Sequence, residues 1–109
     1  MNRYTANGLV ADALLGKRVL IVSPHGRAVR DALDGLKRLG VEDAIFEHAG
    51  SGASMTLPLG GQVILTMPRD LRGRSADVVL IEDELGLDRQ QLDSAYAVIA
   101  GSPCGEIIA

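Results

Sequence analysis

Two short, unbroken apolar runs set the strongest limit on what this chain can fold into: Arg18-Val-Leu-Ile-Val22 and Val78-Val-Leu-Ile81. A strand with one wet face alternates apolar and polar residues, whereas a run without alternation belongs to a strand covered on both faces. The covering helices are legible beside them. Leu9, Val10, Ala13 and Leu14 recur at helical spacing before Gly16, which predicts a helix from about Thr5 to Leu15. Val29, Leu33, Leu36 and Leu39 share one side of a second helix that Gly40 ends, with Arg27, Arg30, Asp31, Asp34, Lys37 and Arg38 mainly opposite. Asp43-Ala-Ile-Phe-Glu47 reads as a shorter strand near an edge. Met55-Thr-Leu57 and Gln62-Val-Ile-Leu-Thr66 flank the turn Pro58-Leu-Gly-Gly61 and read as a hairpin. Asp88-Arg-Gln-Gln-Leu-Asp93 suits a short helix, and Tyr96-Ala-Val-Ile-Ala100 suits a further strand. This close alternation predicts an α/β fold, a mainly parallel sheet flanked by helices with a β-hairpin insertion, in one domain spanning residues 1–109.

Composition narrows the function classes. Trp is absent and aromatics are 3% of the 109 residues, so the core must be built from Val, Leu, Ile and Ala. No apolar run approaches the roughly 18 residues a membrane helix needs, and Met1-Asn-Arg-Tyr-Thr5 lacks a signal-peptide core, so the expectation is a cytoplasmic protein with no membrane partner. Cys104 is the one cysteine, which leaves no internal disulfide and no cysteine-based zinc site. Net charge is −3, against strong non-specific attraction to a polyanion over the whole surface. Its distribution is uneven. Six basic residues face two acidic ones between Lys17 and Arg38, Arg69, Arg72 and Arg74 cluster again, and five acids with no base follow from Asp77 to Asp88.

The second apolar run ends in Glu82-Asp83-Glu84. Carboxylates at a strand end are suited to a hard cation such as Mg²⁺, which takes one or two of them and completes its shell with phosphate oxygens. The loop that would supply the phosphates is not in the sequence. A G-x-x-x-x-G-K-[ST] loop cradles phosphates with successive N–H groups and a lysine, and the Gly16-Lys17 pair is followed by Arg18 and leads into a strand. His25 and His48 have no third metal ligand at useful spacing.

Taken in order, four segments resemble the ATPase core of phage large terminase subunits, and more distantly helicases. Gly16-Lys-Arg-Val-Leu-Ile-Val-Ser-Pro24 is similar to the strand and Ser/Ala-Pro turn after the phosphate-loop helix. Leu57-Pro-Leu-Gly-Gly-Gln-Val-Ile-Leu65 is similar to the hairpin that often reads Leu-Pro-Asn-Gly-Ser. Leu71-Arg-Gly-Arg-Ser-Ala-Asp-Val-Val-Leu-Ile81 is similar to the Arg-Gly segment entering the Walker B strand, and Ala97-Val-Ile-Ala-Gly-Ser-Pro-Cys-Gly105 to the coupling motif. The resemblance implies a truncated RecA-like, P-loop NTPase core, of phage or mobile-element type. It also implies departures. Tyr4-Thr5 would stand at the Lys-Thr end of the phosphate loop, Glu82 where the family has the Walker B aspartate, and Asp83 where it has the glutamate. Without the loop the chain lacks nearly everything a protein contributes to phosphoryl transfer, so ATP hydrolysis by this chain alone is not expected, and no cofactor is.

The expected function is a catalytically inactive, motor-derived domain that binds DNA through a basic face and self-associates. His25, Arg27, Arg30, Arg69, Arg72 and Arg74 are the candidates for phosphate contacts, expected at the carboxyl ends of parallel strands where α/β sheets hold ligands. Glu82, Asp83 and Glu84 are the candidate metal site. Asp31, Asp34, Asp70 and Asp77 are alternative partners that would pair the arginines within the protein. The rival reading is a protein-interaction module that docks on a terminase, helicase or other partner without touching nucleic acid, and a third is an ATPase completed by a partner subunit. Deleting the phosphate-loop strand would leave unpaired edges inside the sheet, which Gly105-Glu-Ile-Ile-Ala109 could fill or pair with a neighbouring copy.

Overall fold

In a computed structural model of the chain, residues 1–50, 52–71, 73–82, 87–103 and 105–108 are described. The elements follow as α1 (Arg3–Leu14), β1 (Arg18–Val22), α2 (Gly26–Arg38), β2 (Ile45–Ala49), β3 (Gly52–Thr56), β4 (Gln62–Thr66), a 3₁₀ turn (Pro68–Asp70), β5 (Val78–Ile81), α3 (Arg89–Ile99) and β6 (Glu106–Ile108). The strands form one sheet in the order β2-β3-β4-β1-β5-β6. β4, β1, β5 and β6 run parallel, and β3 pairs antiparallel with both β2 and β4. This is the helix-flanked, mainly parallel sheet that the apolar runs predict.

Both predicted doubly covered strands lie at the centre. On one face Val19 and Ile21 of β1, Val63 and Leu65 of β4 and Val78 and Leu80 of β5 pack with Leu9, Val10 and Ala13 of α1 and Val29, Leu33 and Leu36 of α2. On the other, Leu20, Val22, Val79 and Ile81 pack with Leu71, Ala76 and, from α3, Ala95 and Val98. Complete burial of a Leu, Ile or Val side chain stabilises by about 1.5–3 kcal/mol, so these two layers hold the sheet between its helices. No helix among the described residues is long and apolar enough to cross a membrane.

Local signals explain the helix bounds. Thr5 N–H donates to Asn2 Oδ1 at 2.8 Å, so α1 starts earlier than Thr5, and Gly16 ends it with φ +88°, a conformation glycine adopts without strain. α3 starts with a reciprocal capping box between Asp88 and Gln91. It then continues through Tyr96 to Ile99, where a strand is predicted. A strand would bury alternate residues, but the buried positions are Ala95 and Val98, one helical turn apart, while Tyr96 is 58% exposed. The first part of the coupling-like segment is therefore helical.

Two strand bounds also move. β2 begins at Ile45 because Asp43 turns the chain with φ 59°, and β3 extends back to Gly52 through residues that read as loop. β6 takes the free side of β5, with Val79 in register with Ile107 and Leu80 with Ile108. It is the outermost strand on that side of the sheet.

Candidate nucleic-acid interface

β1 and β4 end side by side, with Val22 in register with Thr66. Beyond them Ser23 is fully buried; its N–H donates to Thr66 O at 2.8 Å and its hydroxyl donates to Glu82 Oε1 at 2.6 Å. Glu82 stands at the carboxyl end of β5, where its own N–H donates to Val22 O at 3.2 Å. Its Oε2 lies 3.6 Å from the Met1 amine. The carboxylate predicted as a metal ligand thus has both oxygens directed at internal partners. Asp83 and Glu84, the other two predicted ligands, lie outside the described residues. Among the described residues, no three His, Cys, Asp or Glu side chains gather in a way that could hold a metal ion.

The turn after Ser23 leads into α2. His25 is its N-cap: Ala28 N–H donates to His25 Nδ1 at 3.1 Å, which fixes the ring orientation by a helix-capping bond. Arg27 and Arg30 follow on the exposed side of α2, and among the described residues neither makes an ion pair with Asp31 or Asp34. Lys37 sits over the Phe46 ring, 5.7 Å from its centroid, and so helps to join α2 to β2.

Arg69 occupies the 3₁₀ turn just beyond β4, so it and His25 each stand three residues past the paired Val22 and Thr66. Its Nε lies 3.7 Å from Asp70 Oδ2. Arg74 is bonded to that turn but lies on the other face of the sheet. The chain folds back over the α3 side of the sheet, where Arg74 Nε donates to Asp70 O at 2.9 Å and its side chain borders a cleft of about 210 Å³ with Glu47, Ser54 and Ile64. Arg72 lies outside the described residues. The predicted basic face therefore divides: His25, Arg27 and Arg69 share the carboxyl end, Arg30 lies one turn along α2, and Arg74 covers β3 and β4. The division arises because α2 covers one face of the sheet and the β4–β5 connection crosses the other.

At the amino ends of the strands the structure joins residues that the sequence reading left apart. Asp77 Oδ2 accepts from Arg18 N–H at 2.9 Å, and Asp77 Oδ1 accepts from the Ser102 hydroxyl at 2.6 Å. The Ser102 hydrogen bond, then the Arg18 N–H, hold this carboxyl below its ordinary range, and the Lys17 and Arg18 charges add to them. Arg18 Nη1 donates to Ser75 Oγ at 3.0 Å, and Lys17 Nζ lies 3.7 Å from Asp12 Oδ1. Lys17, Arg18, Ser75, Asp77 and Ser102 border a cleft of about 440 Å³. The cluster latches β1, β5 and the end of α3 together. No motif marks it, because its members come from four separate segments.

No family model and no curated protein matches this sequence. Solved structures do. The large terminase from a thermophilic bacteriophage, in complex with ADP, is similar over 84% of this chain with a TM-score of 0.59 and 11% identity. Two further structures of the same large terminase give TM-scores of 0.59 at 11% and 12% identity over the same share. The chain spans about a quarter of the terminase chain's length. Its mixed α/β architecture, six strands flanked by three helices among the described residues, is a terminase-like fold compatible with a truncated RecA-like core.

Proposed function

We propose that this chain is a motor-derived domain that does not hydrolyse ATP on its own, binds DNA through the basic carboxyl end of its sheet, and self-associates through β6. The observation that carries the reading is a terminase-like fold on a sequence without a G-x-x-x-x-G-K-[ST] loop. Tyr4 and Thr5, which the resemblance assigns to the end of that loop, lie in the first turn of α1, where a tyrosine that is 88% exposed stands in the place of the lysine. The engagement of Glu82 by Ser23 and the Met1 amine supports the same conclusion, since a metal at this strand end would compete with both. His25, Arg27 and Arg69 supply the phosphate contacts, Arg30 and Arg74 extend them along the flanks, and Arg72, outside the described residues, stays a candidate by sequence. β6 offers self-association an edge with two partly buried isoleucines, Ile107 and Ile108, and no strand on its outer side among the described residues.

The division of the arginines between the two faces of the sheet favours a second reading, a docking module for another protein. Fluorescence anisotropy with labelled single-stranded, duplex and branched DNA at two salt concentrations separates them. Phosphate contacts release counterions, so the two phosphates neutralised by Arg27 and Arg69 give a log–log salt slope of about −1.4 to −1.8. Arg27→Ala with Arg69→Ala should reduce the slope by that amount. Absence of binding at low salt would leave the docking reading in its place, and ATP turnover lost in Glu84→Ala would overturn the silent-motor part.

A further inference from the structure

A cleft between the first turn of α1 and the last turns of α2, about 270 Å³ in volume, is lined by Met1, Asn2, Arg3, Ala6, Gly35, Arg38 and Leu39, the Met1 amine being the one that pairs with Glu82. Two exposed arginines are among its lining residues and no acidic residue is. Among the described residues neither Arg3 nor Arg38 has a carboxylate within ion-pair distance, although the chain is acidic overall. Two like charges brought to one concavity repel unless an anion lies between them.

Gly35 gives the cleft a second, independent peculiarity. It stands in the interior of α2 with no left-handed backbone angle, so its conformation does not require glycine. Packing does not require it either, because a Cβ added there meets no atom within 4 Å. Glycine is the poorest helix former after proline, yet it stands here beside the cleft, with open space where a Cβ would be. The helix is weakened at the point that keeps the space free.

We propose that this cleft binds a compact phosphate-bearing anion, clamped between the Arg3 and Arg38 guanidinium groups over Gly35. Guanidinium forks match phosphate oxygens with paired charge-assisted hydrogen bonds. Ala6 and Leu39 form the apolar side of the cleft, which accommodates the carbon skeleton that carries the phosphate. The volume is below that of pockets enclosing large organic ligands, typically about 300–1,000 Å³, so the occupant is a phosphate monoester, either a free small molecule or the terminal phosphate of a nucleic-acid strand. This site is separate from the proposed DNA contacts and does not depend on them.

Isothermal titration calorimetry at low ionic strength tests it, with inorganic phosphate, ribose 5-phosphate, and one oligonucleotide with a 5′-phosphate or a 5′-hydroxyl. Saturable binding is expected, weakened about tenfold or more by either Arg3→Gln or Arg38→Gln, since each removes a hydrogen-bonded charge. Gly35→Leu keeps both charges and improves the helix, yet should abolish binding by filling the cleft. Ribose 5-phosphate binding identifies a free small molecule. Preference for the 5′-phosphorylated oligonucleotide with no ribose 5-phosphate binding identifies a strand end. No saturable binding of any probe would overturn the proposal, as would binding unchanged in the folded Arg3→Gln/Arg38→Gln variant. Arg27→Ala with Arg69→Ala, which tests the DNA reading, should leave this binding unaltered.

Discussion

Replacing Gly61 by alanine should damage the fold out of proportion to one added methyl group. A Cβ at Gly61 would stand 1.7 Å from Ala13 O and 2.7 Å from Ala13 C, both backbone atoms of α1. To reach even 3.0 Å from that oxygen, α1 and the β3–β4 turn must separate by at least about 1.3 Å (3.0 minus 1.7). A gap of 0.5–1 Å already forfeits a quarter to a half of a dispersion well. The residues that would lose contact are Leu9, Val10 and Ala13, all at most 5% exposed. Losing that fraction of about 1.5–3 kcal/mol for each of Leu9 and Val10, with overpacking strain of about 1–3 kcal/mol, predicts a destabilisation of about 2–6 kcal/mol. For a domain of this size the melting temperature should fall by roughly 10–25 °C. Urea denaturation followed by circular dichroism measures it, and an unchanged m-value confirms that the native state still forms. Gly60→Ala is the control: Gly60 has φ +88° and no atom within 4 Å of its added Cβ, so only backbone strain of about 1 kcal/mol applies. A Gly61→Ala loss no larger than that of Gly60→Ala would refute the steric argument.

The Asp77 latch and the seat of β6 yield two further expectations. The folded-state pKa of Asp77 is lowered, so its stabilising contribution is complete above the unfolded-state value and fades as pH falls through that value to the folded one. Asp77→Asn should therefore be about 1 kcal/mol less stable than the parent at neutral pH, a small loss because solvent reaches this carboxyl and screens its charge, with the gap closing below about pH 4. A gap independent of pH would contradict the assignment. At Gly105 an added Cβ would lie 2.9 Å from both Ile99 Cβ and Ile99 O. Gly105→Ala should push the segment before β6 away from α3, weaken the Glu106 N–H bond to Asp77 O, and speed hydrogen exchange along the β5–β6 pairing, with a global loss of about 1–2 kcal/mol. Unchanged exchange there would show that the segment accommodates the methyl without moving.

β1, β4 and β5 have the bounds their sequences predict because burial on both faces, or a tight turn beside them, leaves little freedom of register. α2 is equally legible, since Val29, Leu33 and Leu36 repeat with the helical period and all are buried. α3 is misread over Tyr96–Ala100 because Tyr, Val and Ile favour strands locally, while the Asp88–Gln91 capping box and the burial of Ala95 and Val98 favour the helix. The site is less legible than the fold. Spacing places His25 and Arg69 at one end of the sheet because each directly follows a central strand. It gives no sign that the chain carrying Arg74 turns back over β3 and β4, since that path is set by Leu71, fully buried in the second core layer. The cleft holding Arg3 and Arg38 depends on how α1 and α2 meet, which no local pattern records.

β1 is the first strand among the described residues and the inner neighbour of both β4 and β5, which lie far downstream: Arg18 pairs with Gln62, and Val19 with Val78. Among the described residues its backbone has no sheet partner until those segments are made, and α1 shields one of its faces. The local antiparallel pairings of β2, β3 and β4 close much shorter loops and are entropically the easier start. During synthesis Val19-Leu-Ile-Val22 is therefore an unpaired, strongly apolar edge, and the interval before β4 arrives is when another copy of the same segment competes most effectively for it.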